Sequence, residues 1–268
     1  IPIKNPIMNL SLEGKYAVVC GSTQGIGLAI AEELALLGAN CTLLARNEAL
    51  LKSVINRLDI SLRQQHNYLM ADFNEPEEVK KVIEDHVRNY PVHILINNTG
   101  GPPPGPILDA VENDFLKAFN QHLICNHILA KATIPSMKKE GYGRIINIIS
   151  TSVRIPIHNL AVSNTTRLAV AAWAKTLSNE VEKSGITVNS ILPGNISTGR
   201  LSGLIEVNSK SRNTTQEKIT EEMINTIPMK RFGDVSEVAA LAAFLSSPAA
   251  SYINGVSIPV DGGKTGTI

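Results

Sequence analysis

Ser163 and Arg167 lie four residues apart in AVSNTTRLAVAAWAKTLS, Ala161 to Ser178. That spacing projects both side chains from one face of a helix. An arginine there keeps its charge and can bind hydroxyl groups, but it passes no proton on, because its pKa exceeds about 12. A serine hydroxyl is a poor acid as well. Histidine is the residue type that exchanges protons near neutral pH, and the chain places candidates nearby. His122 stands in the apolar stretch DFLKAFNQHLICNHILAK, with His127 near the next turn, and His158 precedes the Ser163 helix in RIPIHNLAV. For His122 a core histidine satisfied by backbone or solvent reads at least as well. A second cluster is VVCGSTQGIGLAI, where Gly21, Gly25 and Gly27 let the backbone turn tightly and approach a pyrophosphate. The N–H groups at the following helix start would bind it. Glycine spacing alone is weak, but a strand before it and a helix after it strengthen the reading.

These residues need elements to hold them. Short apolar runs alternate with longer amphipathic stretches along nearly the whole chain. The expected strands are Tyr16–Cys20, Cys41–Leu44, Tyr68–Met70, His93–Asn97, Arg144–Ile149, Thr187–Leu192 and Val256–Val260. Apolar on both faces, they suit a parallel sheet covered by helices. IGLAIAEELALLGA should be closed by Gly38, NEPEEVKKVIEDHVRNY opened by Asn74 as N-cap, and DVSEVAALAAFLSS opened by an Asp234/Glu237 capping box. The fold class expected is α/β, a single Rossmann-type doubly wound domain with a parallel seven-stranded sheet and helices on both faces. It should span residues 12–268, after an extension over 1–11, whose first seven residues before Met8 read as a tag remnant or upstream segment. Residues 198–230 are polar and interrupt the alternation at the carboxyl end of a strand. Open α/β sheets bind ligands there, so this segment reads as a mobile lid, with a solvated surface excursion as the alternative.

The motifs together resemble the short-chain dehydrogenase/reductase family of the classical type, over about Leu12 to Gly263, and the overall pattern is similar to 3-oxoacyl-carrier-protein reductases. NNTG (Asn97–Gly100) resembles the family's motif after the fourth strand, and GRIINIIS ends at Ser150, the catalytic serine position. PGNIST (Pro193–Thr198) resembles the loop that holds the nicotinamide carboxamide, and ASYINGVSIPVDGG the last strand and its flanks. The resemblance implies cofactor binding by Gly21, Ser22, Gln24, Gly25, Ile26 and Gly27 of the turn, by Asn98 and Gly100, and by Pro193, Gly194, Ile196 and Thr198. Asp72 falls at the adenine-binding position, although alone it would read equally as a loop cap. At the end of the second strand, Ala45 stands where an acidic residue would hydrogen-bond the ribose of NAD. Arg46 follows and offers a charge-assisted fork to a 2′-phosphate, favouring NADP(H) over NAD(H), unless it is an ordinary surface arginine.

The family's catalytic set of Asn, Ser, Tyr and Lys is degraded here. Ser150 remains, Ser163 stands at the tyrosine position, Arg167 at the lysine position, and His122 at the asparagine position. No Y-x-x-x-K occurs anywhere in the chain. The usual proton relay, a phenol whose pKa the lysine lowers, is therefore missing, at a cost on the order of 10²–10⁴ in rate. Cofactor positioning and hydride donation can persist. The expected function is an NADP(H)-dependent oxidoreductase acting on a small carbonyl or alcohol, with Ser150, Ser163, Arg167 and His122 as the catalytic candidates. The rival is a catalytically inactive dinucleotide-binding protein serving as sensor, scaffold or partner subunit. GGPPPGP (Gly100–Pro106) should wall the cleft stiffly, or serve only as a rigid connector. A net charge of +1 makes no case for nucleic acid or anionic membrane as partner, and no apolar run suits a membrane span. No His/Cys grouping has metal-ligand spacing. Three cysteines without paired spacing and no secretion signal point to buried, reduced thiols and a cytoplasmic location. A homotetramer is what the resemblance implies, and apolar helices around Leu123–Ile134 and Val170–Leu177 fit it.

Overall fold

The computed structural model describes residues 8–181 and 184–267. Leu12 is fully buried and donates its N–H to Leu37 O at 2.8 Å. Seven strands follow: β1 (Tyr16–Cys20), β2 (Asn40–Ala45), β3 (Asn67–Met70), β4 (Ile94–Asn97), β5 (Gly143–Ile148), β6 (Ile186–Pro193) and β7 (Ser257–Val260). They form one parallel sheet in the order β3-β2-β1-β4-β5-β6-β7. The predicted strands differ from these only at their ends. The residues of β1, β2, β4, β5 and β6 are mostly buried on both faces because helices cover both, while the edge strands β3 and β7 are partly exposed. On one side α1 (Gly25–Leu36), α2 (Glu48–Ile55) and α9 (Val235–Ser246) build a core around Ile30, Leu34, Leu43 and Ile96. On the other, α3 (Pro76–Asn89), α5 (Cys125–Glu140) and α6 (Ala161–Val181) close over Leu44, Leu95, Leu129 and Ile145. The strand order reverses between β1 and β4, which opens a crevice at their carboxyl ends.

Gly38 follows the end of α1 with a positive φ of 98°, a backbone that glycine adopts without cost. The Asp234/Glu237 capping box opens α9. The expected N-cap at Asn74 is corrected: α3 is capped at Glu75 and begins with Pro76. Proline suits the first helical position, and the Asn74 side chain is already engaged by Asp72 and Gln121.

Two further segments carry structure that the sequence did not show. The stretch around His122 is not one uniform helix: α4 (Glu112–Phe119) runs through a π-helical turn (Asn120–Ile124) into α5. Such a turn holds one residue more than an α turn, so it shifts the face that later residues present. Residues 198–230 fold into α7 (Gly199–Ser211) and α8 (Gln216–Asn225). Leu201, Ile205 and Ile219 form a small separate core with Met223 and Phe232 against it. The apolar spacing Leu201/Ile205 is helical, but the polar residues between and after it hide the signal in sequence.

Candidate active site

One cavity of about 400 Å³ occupies the crevice. Gly21, Gln24, Gly25 and Ile26 of the glycine turn line it, as do Asn98, Gly100, Ser150, Ser163, Arg167, Pro193, Gly194, Ile196 and Thr198. Ser22, Gly27, Arg46, Asp72 and His122 are not on its wall.

The glycine turn fits a dinucleotide on its own geometry. Gly21 and Gly25 have φ of 58° and 56°, and a Cβ on Gly27 would lie 2.2 Å from Gly21 O. Only glycines permit so close a turn. The side chain of the N-cap Gln24 makes no capping bond, and the first turn of α1 carries no acidic residue. By contrast, side chains of Asn47, Thr198, Thr215 and Asp234 cap α2, α7, α8 and α9. The start of α1 thus keeps free N–H donors facing the cavity, as anion binding at a helix terminus requires. Ser22 is fully buried and its Oγ has no hydrogen-bond partner among the described residues. Asn98 donates from Nδ2 to Cys20 O and Gly21 O, both at 3.2 Å, and so ties the β4 loop to the β1 turn. Arg46 is exposed past the end of β2. Asp72 Oδ1 accepts from the Asn74 backbone and side chain, which is the loop-cap arrangement.

Ser150 follows β5, and its Oγ accepts the Ser152 N–H at 3.1 Å. The hydroxyl proton therefore remains available to donate into the cavity. Ser163 and Arg167 sit one turn apart on α6, on the same buried face as Val170 and Ala174. The Arg167 guanidinium bridges strand ends, donating from Nη1 to Ile148 O (3.1 Å) and from Nη2 to Thr99 O (3.3 Å). Burial, with Arg200 nearby, pulls its pKa down to about 10, so it stays charged at neutral pH. Thr198 Oγ1 accepts the Leu201 N–H as the α7 cap while donating to Ile196 O at 3.2 Å.

His122 is placed differently from a solvent-facing acid. Its ring is buried in the π turn, Nδ1 is hydrogen-bonded to Thr99 Oγ1, and Nε2 has no partner. Burial first, then Arg167 and Arg200, push its pKa well below the ordinary histidine value. At neutral pH it is uncharged and has no imidazolium proton to give. His127 is exposed, edge-on to Trp173. His158 is exposed and lies on the cavity rim. The wall expected from the proline-rich loop is tied at two points. Gly105 N donates to Asn159 O at 2.8 Å, and Pro102 O accepts from Arg200 Nη2 at 2.6 Å.

Sequence reasoning missed Thr99, which joins His122 to Arg167, and Arg200, which crosses the cavity mouth. Thr99 stood inside the quoted NNTG motif, and Arg200 two residues beyond Thr198, so position was the available signal. Lys264 also lines the cavity, with Nζ 3.3 Å from Asn195 Oδ1. Cys20, Cys41 and Cys125 are buried and unpaired, and burial holds their thiols in the protonated form. No described helix is long and apolar enough to cross a membrane.

Comparison with known proteins gives the same frame. The family profile described as enoyl-(acyl carrier protein) reductase matches residues 21–265. D-beta-hydroxybutyrate dehydrogenase of Rhizobium meliloti is 34% identical, over 94% of this chain and 98% of its own. The NADPH-dependent reductase BacG of Bacillus subtilis is 31% identical, over 95% and 99%. Among solved structures, L-sorbose reductase from Gluconobacter frateurii, complexed with NADPH and L-sorbose, superposes with a TM-score of 0.91 at 31% identity, covering 97% of this chain and 100% of that one. With the glycine turn, the seven-stranded sheet and the Ser150 cavity in their places, the chain belongs to the classical short-chain dehydrogenase/reductases, a family of oxidoreductases.

Proposed function

We propose that the protein is an NADP(H)-dependent oxidoreductase that interconverts a small carbonyl and its alcohol without a tyrosine proton donor. The observation that carries this reading is the single cavity joining the uncapped start of α1 to Ser150, Ser163 and Arg167. The N–H groups of the α1 turn hold the pyrophosphate, with Gly21, Gly25 and Gly27 keeping the backbone close. Arg46 pairs with the 2′-phosphate, Asp72 takes the adenine, and Asn98 and Gly100 join the cofactor-binding set. Pro193, Gly194, Ile196 and Thr198 shape the carboxamide end, while Arg167 holds ribose hydroxyls. NADPH and L-sorbose are both named for the superposed reductase, and NADPH for BacG, which supports this cofactor.

The bound cofactor supplies a hydride to the carbonyl carbon. Ser150 donates its free hydroxyl proton as a hydrogen bond to the carbonyl oxygen. Arg167, buried and charged, stabilises the oxyanion there. Ser163 leaves space where a phenol ring would stand, and a solvent molecule in that space delivers the proton. His122 orients Thr99, and through it Arg167. His158, on the rim, is the remaining candidate donor. Loss of a positioned acid lowers the rate by on the order of 10²–10⁴, and orientation by the cofactor site is retained.

The absent tyrosine and lysine favour one other reading, a dinucleotide-binding protein without turnover. NADPH oxidation against a broad carbonyl panel, with NADPH binding measured in parallel, separates the two. Oxidation that depends on a carbonyl supports the enzyme, and binding without it supports the rival.

A further inference from the structure

The cavity is electropositive, and its two arginines have no acidic partner among the described residues. Arg167, Arg200 and Lys264 line it, and no aspartate or glutamate does among the described residues. Lys264 has Asp261 nearby. Neither Arg167 nor Arg200 is in an ion pair, although eight such pairs occur elsewhere in the described residues. The two guanidiniums are close enough to depress the pKa of Arg167. Partly buried like charges with no counter-ion are costly, and a ligand anion relieves that cost.

Arg200 differs from Arg167 in what it holds. Arg167 holds two backbone carbonyls and is the group assigned to the cofactor ribose on the α6 side of the cavity. Arg200 makes one bond, to Pro102 O, and lies over Gly101, where an added Cβ would be 3.3 Å from its Nη2. A guanidinium offers five donors in a planar fork, so most of this one is uncommitted. Its fork lies at the Gly101–Pro102 wall after β4. It stands two residues beyond Thr198, in the same cavity as Ser150 and Ser163 and close enough to Arg167 to act on its charge.

We infer that Arg200 is the recognition group for a carboxylate carried by the substrate, so that the site takes small oxo acids and the matching hydroxy acids in preference to neutral ketones. This rests on the oxidoreductase reading for the identity of the reacting group, but not for the anion site itself. A carboxylate replaces the neutral Pro102 carbonyl as acceptor and forms a charge-assisted, two-pronged contact. It places a negative charge beside both arginines. Gly101 gives the fork room against the wall.

The experiment is calorimetric binding of pyruvate, 2-oxobutanoate and acetoacetate, each against its methyl ester, to the full chain saturated with NADP⁺. It is repeated on Arg200→Gln and Arg200→Lys, with NADPH affinity measured on every protein. At least one acid should bind ten-fold or more tighter than its ester. Arg200→Gln should abolish that preference and Arg200→Lys restore part of it, with NADPH affinity within two-fold throughout. Equal binding of acid and ester by the unaltered protein would overturn the inference. So would a loss of NADPH affinity in Arg200→Gln as large as the loss for the acid, since the arginine would then serve a cofactor phosphate. Turnover of the same compounds is read separately. Acid-selective binding without turnover would sustain the anion site and refute the oxidoreductase reading, whereas turnover of esters and acids alike would do the reverse.

Discussion

Arg167 shows how one substitution redistributes the work of a site. Its fork fastens the ends of β4 and β5 through Thr99 O and Ile148 O, while its charge adds to the burial that keeps His122 neutral. The histidine therefore carries a pH signature. Its folded pKa lies below the unfolded value near 6.5, so between the two the unfolded chain binds more protons. The associated stability is complete above about pH 6.5 and is lost as pH falls toward the folded value. His122→Asn should flatten the acid loss by up to about 1.4 kcal/mol per pH unit in that window. His86 and His93, also lowered by burial, would leave a residual slope. Urea unfolding at pH 7 and 5.5 checks this, and identical slopes in both proteins would contradict it. At the cofactor's other end, Arg46→Ala should weaken NADPH binding by about 1.5–3 kcal/mol while NADH changes little. Equal weakening of both would remove Arg46 from the 2′-phosphate. Ser163→Tyr with Arg167→Lys should raise turnover of an activated ketone by on the order of 10²-fold, because a phenol tuned by an ammonium restores positioned acid catalysis. Ser163→Tyr alone should do less, since the retained guanidinium is shaped differently from lysine. A double variant that folds, binds NADPH and shows no gain would place the obstruction at His122 or in the Gly101–Pro106 wall.

Among the elements, α7 and α8 are the pair that the lid proposal concerns. Their apolar side chains pack into their own small cluster, separate from the two cores against the sheet, and Arg200 Nη2 reaches across to Pro102 O. Elements with few contacts to the main core open at lower free energy than sheet strands. Amide hydrogen exchange over 199–225 should be faster than in β4–β6 and should slow when NADPH and an oxo acid are added together. Exchange there that ignores both ligands would reduce the pair to surface structure. This is also where the sequence was hardest to read. The strands and the α1 turn announce themselves through continuous apolar runs and glycines fixed by local geometry. The π turn at Asn120–Ile124 has no residue pattern of its own. The Arg200–Pro102 contact joins residues 98 positions apart, so only the packed loops bring it into being. Thr99 was in view within NNTG, but its link from His122 to Arg167 depends on three separate elements meeting.

At the scale of the molecule, the sheet sets a crevice at its point of strand-order reversal and everything chemical gathers on one edge. The opposite concern is surface. Leu116, Ile124 and Leu168 are exposed on α4, the π turn and α6, and α4 packs beside α6. At the other end β7 is a sheet edge, with Tyr252 and Val256 exposed before it. Apolar surface on two faces fits assembly of copies by two contacts, the arrangement a tetramer needs. Light scattering at micromolar concentration should give a mass about four times that of the chain, and a monomer would defeat the expectation. The most direct measurement of all is deuterium transfer. NADPH carrying deuterium at the transferring carbon is incubated with the unaltered protein and the oxo acids and their esters, and the products are examined by mass spectrometry. Deuterium at the new carbinol carbon is the expected result, at a rate that falls when Ser150 is replaced by alanine. Tight NADPH binding with no deuterium in any product would contradict hydride transfer by this site.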